Sequence, residues 1–366
     1  MKDLINKFVF KNIDLVIYII IFLYFFYKFT SYKSFFYLYV NEWAFSETLI
    51  NYSGGFVRRG VIGEFFSKIS GNEYKLYYVS SFIFYLASFV HLVYFFILKS
   101  KNFSYLNRFV LFFSPFGFYY LSSNLNFFFG RKDLLILNFL IIFSSKKLRV
   151  FKYQILNFLI FGTLLTLAYE MFLFFLPLFW KLINDKTKKH KYIKIASFNY
   201  LALLNISLIT LFSSPKNFEY LCSNIETKRI QMSLDNLNCW GAPNYLNNKN
   251  KSVWINEVID GLNFSSNYIL WAISIALLIL FINYFVFFDN SYKYSIGILF
   301  VLFFIAQDYG RWMFLIFATT FVLGEERKSA ETLILKYKLT SYLLLFSGLI
   351  LDIPVYLFQE KIFFRF

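Results

Sequence analysis

Two cysteines and two histidines in 366 residues leave little with which to hold a transition metal. Cys222 and Cys239 stand in no CxxC or Cys/His spacing, His91 lies in an apolar run and His190 among lysines, so the sequence argues against a zinc or iron enzyme. Acidic residues are scarce as well, 21 against 37 Lys and Arg, for a formal charge of +16. Such an excess can signal nucleic-acid binding, but these cations sit in short runs between apolar stretches, the pattern of loops facing a cytoplasmic lipid surface. We therefore read no nucleic-acid partner. There is no internal repeat and no nucleotide-binding signature in a soluble domain.

What the chain has in abundance is apolar and aromatic surface. Apolar residues make up 58% and aromatic residues 24%, with a mean hydropathy of +0.55, where soluble proteins average about 45–50% apolar. Five runs approach the length of a hydrocarbon core, at 13–29, 79–98, 195–212, 268–288 and 339–358. Lys2, Lys7 and Lys11 before the first run resemble a signal peptide, but the run is long and no small-residue cleavage site follows, which predicts a retained helix.

The positive-inside rule sets the orientation. Lys146, Lys147, Arg149 and Lys152 form one basic loop, and six lysines between Lys181 and Lys194 form another. Both belong on the cytoplasmic side, yet only residues 153–180 separate them. Two short tilted or re-entrant helices meeting near Tyr169 and Glu170 reconcile the two loops, since irregular backbone is tolerated at membrane depth where protein buries it. The same logic predicts a break at Gln307–Trp312 and an outward hairpin within 109–144. The expected fold is an all-α, polytopic membrane protein, one transmembrane domain over 1–366 with about eleven membrane-entering segments and a cytoplasmic N-terminus. Lys361 and Arg365 would then fall outside, against the rule.

Two segments are too polar to span. Residues 31–78 alternate aromatic and polar side chains and are expected to lie along the outer interface as amphipathic helices, with Gly54, Gly55 and Gly60 allowing tight turns. Residues 213–267 form the large outer loop, which holds both cysteines where oxidation is permitted. A Cys222 to Cys239 disulfide is expected there, with free thiols as the alternative.

Charges at membrane depth cost about 2.5–3.5 kcal/mol on insertion scales, so those present have partners or a task. Five patches qualify: Glu42 and Glu47; Arg58, Arg59 and Glu64 in GGFVRRGVIGE; Arg131, Lys132 and Asp133 in FGRKD; Glu170 in AYEMF; and Asp308 with Arg311 in DYGRW. The topology places all five on or near the outer face. Arginine forks bind phosphate oxygens and stabilise a departing diphosphate, a carboxylate takes the proton of an attacking hydroxyl, and Trp43, Tyr52, Tyr309 and Trp312 offer flat faces to sugar rings. Each patch also has a structural reading. Arg58 and Arg59 can anchor a helix to lipid phosphates, Glu170 or Asp308 can pair with Arg311 for packing alone, and the Trp and Tyr residues can be interface anchors. Glu42 and Glu47 can simply be solvated, and Arg131 with Lys132 would mark topology if that hairpin were inverted.

With its many spans, one large outer loop, and the patches GGFVRRGVIGE, FGRKD, AYEMFLFFLP and DYGRW, the chain resembles the Wzy-type polymerases of O-antigen and capsule. The patches cover a small fraction of the chain. The resemblance implies glycan transfer from an undecaprenyl-diphosphate carrier onto a lipid-linked repeat unit at the outer face of the bacterial inner membrane. It implies no cofactor and no nucleotide sugar, with membrane lipids and a chain-length regulator as partners. Arg58, Arg59, Arg131, Lys132 and Arg311 would bind diphosphate, and Glu170 or Asp308 would act as base. A second resemblance, to GT-C-type glycosyltransferases that use polyprenyl-phosphate sugars, rests on the first helix followed by a long outer loop. It would give Glu42 or Glu47 the acidic role, although the paired aspartates usual there are absent. A flippase of lipid-linked sugars is the non-enzymatic alternative, and it would line a cavity at mid-depth with charge.

Overall fold

The computed structural model describes residues 43–71, 73–103, 131–144, 151–186, 191–212, 214–231, 296–302 and 309–326, with scattered residues elsewhere. Most of the runs expected at 13–29, 268–288 and 339–358, together with Glu42, Asp308 and Cys239, lie outside these residues. So do the side chains of Trp43 and Tyr309.

The described residues are predominantly helical. The helices are α1 (Trp43–Leu49), α2 (Gly60–Ser70), α3 (Tyr74–Lys99), α4 (Asp133–Ser144), α5 (Phe151–Ala168), α6 (Phe172–Lys186), α7 (Lys191–Leu211), α8 (Phe218–Gln231) and α9 (Tyr309–Leu323). Short antiparallel pairings join Val286–Phe287 to Glu325–Glu326 and Leu351–Asp352 to Phe363–Phe364. Two helical segments, Tyr74–Asn102 and Lys191–Leu211, are long and apolar enough to cross a membrane, while α4 and α9 and much of α5 and α6 are shorter apolar helices.

These helices are apolar on both sides. In α3, Tyr77, Tyr85, Phe89, Leu92 and Phe96 are buried, yet Ile83, Val90, Tyr94 and Leu98 are exposed, and α5 exposes Leu156, Ile160 and Leu164 in one stripe. A helix apolar all round needs an apolar surround, either protein or lipid. Several polar groups inside the bundle are paired: His91 Nδ1 meets Asn138 Oδ1, Asn138 Nδ2 donates to Ser88 O at 2.9 Å, and Asn205 Nδ2 donates to Thr166 Oγ1 at 2.9 Å.

Side-chain pairs fix the helix directions. Gly162 faces Leu201 and Thr166 bonds Asn205, so α5 and α7 run parallel. Phe139 stacks near Phe161 and Phe143 near Phe158, so α4 runs antiparallel to α5. Phe139 also meets Phe172 while Phe143 meets Phe179, so α4 and α6 are parallel. Consequently α5 and α6 are antiparallel, and the chain turns between Ala168 and Phe172, at Tyr169 and Glu170. At the far end, Lys99 Nζ donates to Val322 O at 2.7 Å and Gly324 O at 2.8 Å, capping α9 with the last residue of α3. The helix ends bordering the basic segments 145–150 and 187–190 share that far end, and the starts of α4, α6 and α9 share the other.

Candidate functional site

The site is built around the loop 50–60, which links α1 to α2. Its backbone is stapled to the ends of other helices: Arg58 N donates to Phe212 O at 3.0 Å, just beyond α7, and Arg59 N donates to Leu167 O at 3.1 Å in the last turn of α5. Carbonyls at a helix C-terminus lack intrahelical partners, and these two find theirs in the loop. Close packing beneath requires glycine. A Cβ on Gly63 would collide with the carbonyl oxygens of Thr48 and Ile50, and one on Gly60 with the Tyr52 ring. Arg59 itself is left-handed, with φ 70°, the one such non-glycine among the described residues. A bulky side chain there costs of order 1–3 kcal/mol and persists only where its surroundings impose it.

The surroundings are ionic. Arg59 Nε donates to both oxygens of Glu170 at 2.8 Å, its Nη2 pairs with the same carboxylate, and its Nη1 reaches Glu47 Oε1 at 3.2 Å. Arg58 Nη1 lies 3.4 Å from Glu170 Oε1. Lys132 Nζ donates to the Arg59 carbonyl at 3.1 Å. The Tyr169 ring lies between two arginines, with Arg59 and Arg311 each 5.7 Å from its centroid, and its hydroxyl is bonded to Arg311 Nη2. Arg311 closes the chain of contacts on Asp133, Nε to Oδ2 at 2.6 Å and Nη2 to Oδ1 at 3.0 Å.

One member or more of each of the five charged patches is therefore in a single buried network. Among the described residues its ionic groups are Glu47, Arg58, Arg59, Arg131, Lys132, Asp133, Glu170 and Arg311, five cations against three carboxylates. Burial alone would raise the Glu47 carboxyl, but Arg59, Lys132, Arg131 and Arg311 outweigh it and hold it below its ordinary value. Burial brings Lys132 down to about 8, with Glu47 opposing. The starts of α4, α6 and α9 converge on the same region, and their aligned peptide dipoles add further positive potential. Among the described residues, two buried atoms of the network have no hydrogen-bond partner, Glu47 Oε2 and Arg58 Nε.

Several expectations change here. Arg311 pairs with Asp133, not Glu170, because the starts of α4 and α9 lie together. Glu170 is instead engaged on both oxygens by Arg59. Trp312 is fully buried, with the Arg311 guanidinium 4.5 Å over its ring, so its face is unavailable for sugar stacking. Tyr52 stacks on Phe56 at 5.0 Å and lines a separate polar cavity. Cys222, on α8, is disulfide-bonded, and the chain's one other cysteine is Cys239. Asp133 carried no role in the sequence reading beyond its patch. Its signal was its place, the first residue of an apolar helix after two cations. Among the described residues no three His, Cys, Asp or Glu side chains gather as metal ligands.

Comparison of the chain with protein-family models, with curated proteins and with solved structures gives no match.

Proposed function

We propose that this chain is a multi-pass membrane glycosyltransferase that extends a surface polysaccharide from an undecaprenyl-diphosphate-linked glycan, in the manner of Wzy-type polymerases. On this reading about eleven segments enter the bacterial inner membrane, and the site opens on its outer face. One observation supports it: a buried network that holds, among the described residues, five cations and three carboxylates, at the end of the helices away from the basic segments. A buried surplus of positive charge is costly unless an anion joins it. A diphosphate at the head of a lipid is an anion that reaches such a place from the membrane.

The chemistry follows from which groups are already occupied. Asp133 and Arg311 satisfy each other, and Arg59 is committed to Glu170 and Glu47. These form the frame. Arg58, whose Nε lacks a partner, holds the diphosphate together with Lys132. A hydroxyl of the acceptor sugar attacks the anomeric carbon of the donor. The bond from that carbon to the diphosphate oxygen breaks, and the diphosphate leaves with the electron pair, stabilised by these cations. Glu47, whose Oε2 lacks a partner, takes the proton of the attacking hydroxyl.

Deleting the gene is expected to leave single-repeat glycan on the cell in place of long chains, seen by gel electrophoresis of surface polysaccharide. Long chains in the deletion strain would sink the proposal. Glu47 also favours a second reading, because a GT-C-type enzyme uses an acidic residue of the first outer loop with a monophosphate donor. Purified protein offered polyprenyl-phosphate and polyprenyl-diphosphate donors separates the two by which one is consumed. A flippase would need its charges at mid-depth, whereas this network lies at helix ends.

A further inference from the structure

Beside the charged network lies a cavity of about 280 Å³ between α2, the start of α3 and α8. Its walls include Asn51, Tyr52, Glu64, Ser67, Asn224 and Lys228. Every one carries a hydrogen-bonding group, and among the described lining residues one carboxylate, Glu64, balances one ammonium, Lys228. The groups are also held in place. Asn51 Nδ2 donates to Asn224 Oδ1 at 3.2 Å, Tyr52 N donates to Glu64 Oε2 at 3.2 Å, and Lys228 Nζ donates to Ser67 Oγ at 2.8 Å while lying 4.9 Å from the Tyr77 ring centroid. With its oxygen taken by Asn51, Asn224 has its amide NH2 to offer a ligand. Ser53 Oγ, also in the wall, is buried without a partner.

We infer that this cavity is a sugar-binding subsite that seats one ring of the lipid-linked glycan next to the charged network, an inference that rests on the function proposed above. A wall with no net charge and a carboxylate in it selects against a phosphate and for a neutral ligand rich in hydroxyls. Tyr74, also in the wall, gives such a ligand an apolar face with a polar tip. The volume of about 280 Å³ leaves room for a sugar ring. Position supplies the rest. Asn51 and Tyr52 follow closely on the helix that carries Glu47, and the Tyr52 ring packs against Gly60, the residue after Arg59. A ring held here sits alongside the diphosphate site, as a glycan attached to that diphosphate requires.

The test uses full-length protein in detergent and, as probe, the repeat-unit oligosaccharide of the host's surface glycan, freed of lipid and phosphate by mild acid. Binding is measured by titration calorimetry to wild type, Asn224→Ala, Ser67→Ala and Arg58→Lys, each first shown to keep the wild-type thermal midpoint. We expect the two cavity variants to lose at least tenfold in affinity for the oligosaccharide, and Arg58→Lys to stay within twofold. Equal affinity in both cavity variants and wild type, or no binding to wild type at millimolar oligosaccharide, overturns the subsite. Long chains in the deletion strain are a separate outcome that overturns the function instead.

Discussion

Arg311 and Arg58 are both arginines of the same network, each facing a carboxylate from a distant part of the chain, and they are satisfied very differently. Arg311 meets Asp133 fork to fork, adds the Tyr169 hydroxyl and covers the Trp312 ring. Arg58 touches Glu170 at 3.4 Å through one nitrogen and leaves its Nε without a partner. The same contrast separates the carboxylates: Asp133 and Glu170 accept on both oxygens, while Glu47 keeps one unmet. A fully paired group has nothing to offer a substrate and much to contribute to structure. A half-paired one in the same network is where a substrate can be bound. The lesson is that the network has a closed half, reaching from α4 to α9, and an open half around Glu47, Arg58 and Lys132.

Breaking the closed half should have the largest effect. Removing one partner of a buried ion pair costs about 3–5 kcal/mol, so Asp133→Asn and Arg311→Met are each expected to lose most folded protein, read as the yield of monodisperse material and its thermal midpoint. Asp133→Leu combined with Arg311→Met should recover more than either alone. Glu47→Gln keeps the shape and removes the proton acceptor. It is expected to lower the thermal midpoint, since Glu47 pairs with Arg59, and, at equal amounts of folded protein, to reduce polymer synthesis by about 10²–10⁴-fold, the usual range for a lost general base. Normal activity in that variant would remove Glu47 from the chemistry.

Arg58→Lys preserves charge but loses the planar fork, and is expected to lower turnover about tenfold with little change in stability. Next in size is a pH effect outside the network. Burial holds Lys228 at about 8 in the folded protein, whereas an unfolded lysine titrates near 10.4. Between those values the unfolded chain binds the extra proton, so stability should rise with pH across that window. Lys228→Met should flatten the rise in a thermal-shift series from pH 7.5 to pH 10.5. The smallest effect belongs to Trp312→Phe. Its indole nitrogen is buried without a partner, so the substitution forfeits no hydrogen bond and should cost less than about 1.5 kcal/mol, leaving activity within twofold.

Much of this arrangement is legible in the chain itself. Two basic loops separated by residues 153–180 demand a reversal, and the structure turns at Tyr169 and Glu170. The charged patches stand out because charge within apolar sequence is expensive. The cavity was not legible, because Asn224 and Lys228 lie in a polar segment where one more amide or ammonium carries no signal. Nor was the loss of Trp312 as a sugar platform, since Trp beside Arg reads the same whether the ring faces a ligand or lies beneath the guanidinium.

By itself, then, the sequence determined that this chain is built of apolar helices and that its internal charges sit at their ends, because both follow from the local cost of placing a group in hydrocarbon. Which charge meets which was decided only in three dimensions. Arg311 and Asp133 lie 178 positions apart, and Arg59 and Glu170 lie 111 apart. No local pattern encodes either distance. Helix packing brings the starts of α4, α6 and α9 to the loop at residues 50–60, and the pairing formed there leaves Glu47 Oε2 and Arg58 Nε still in need of a partner.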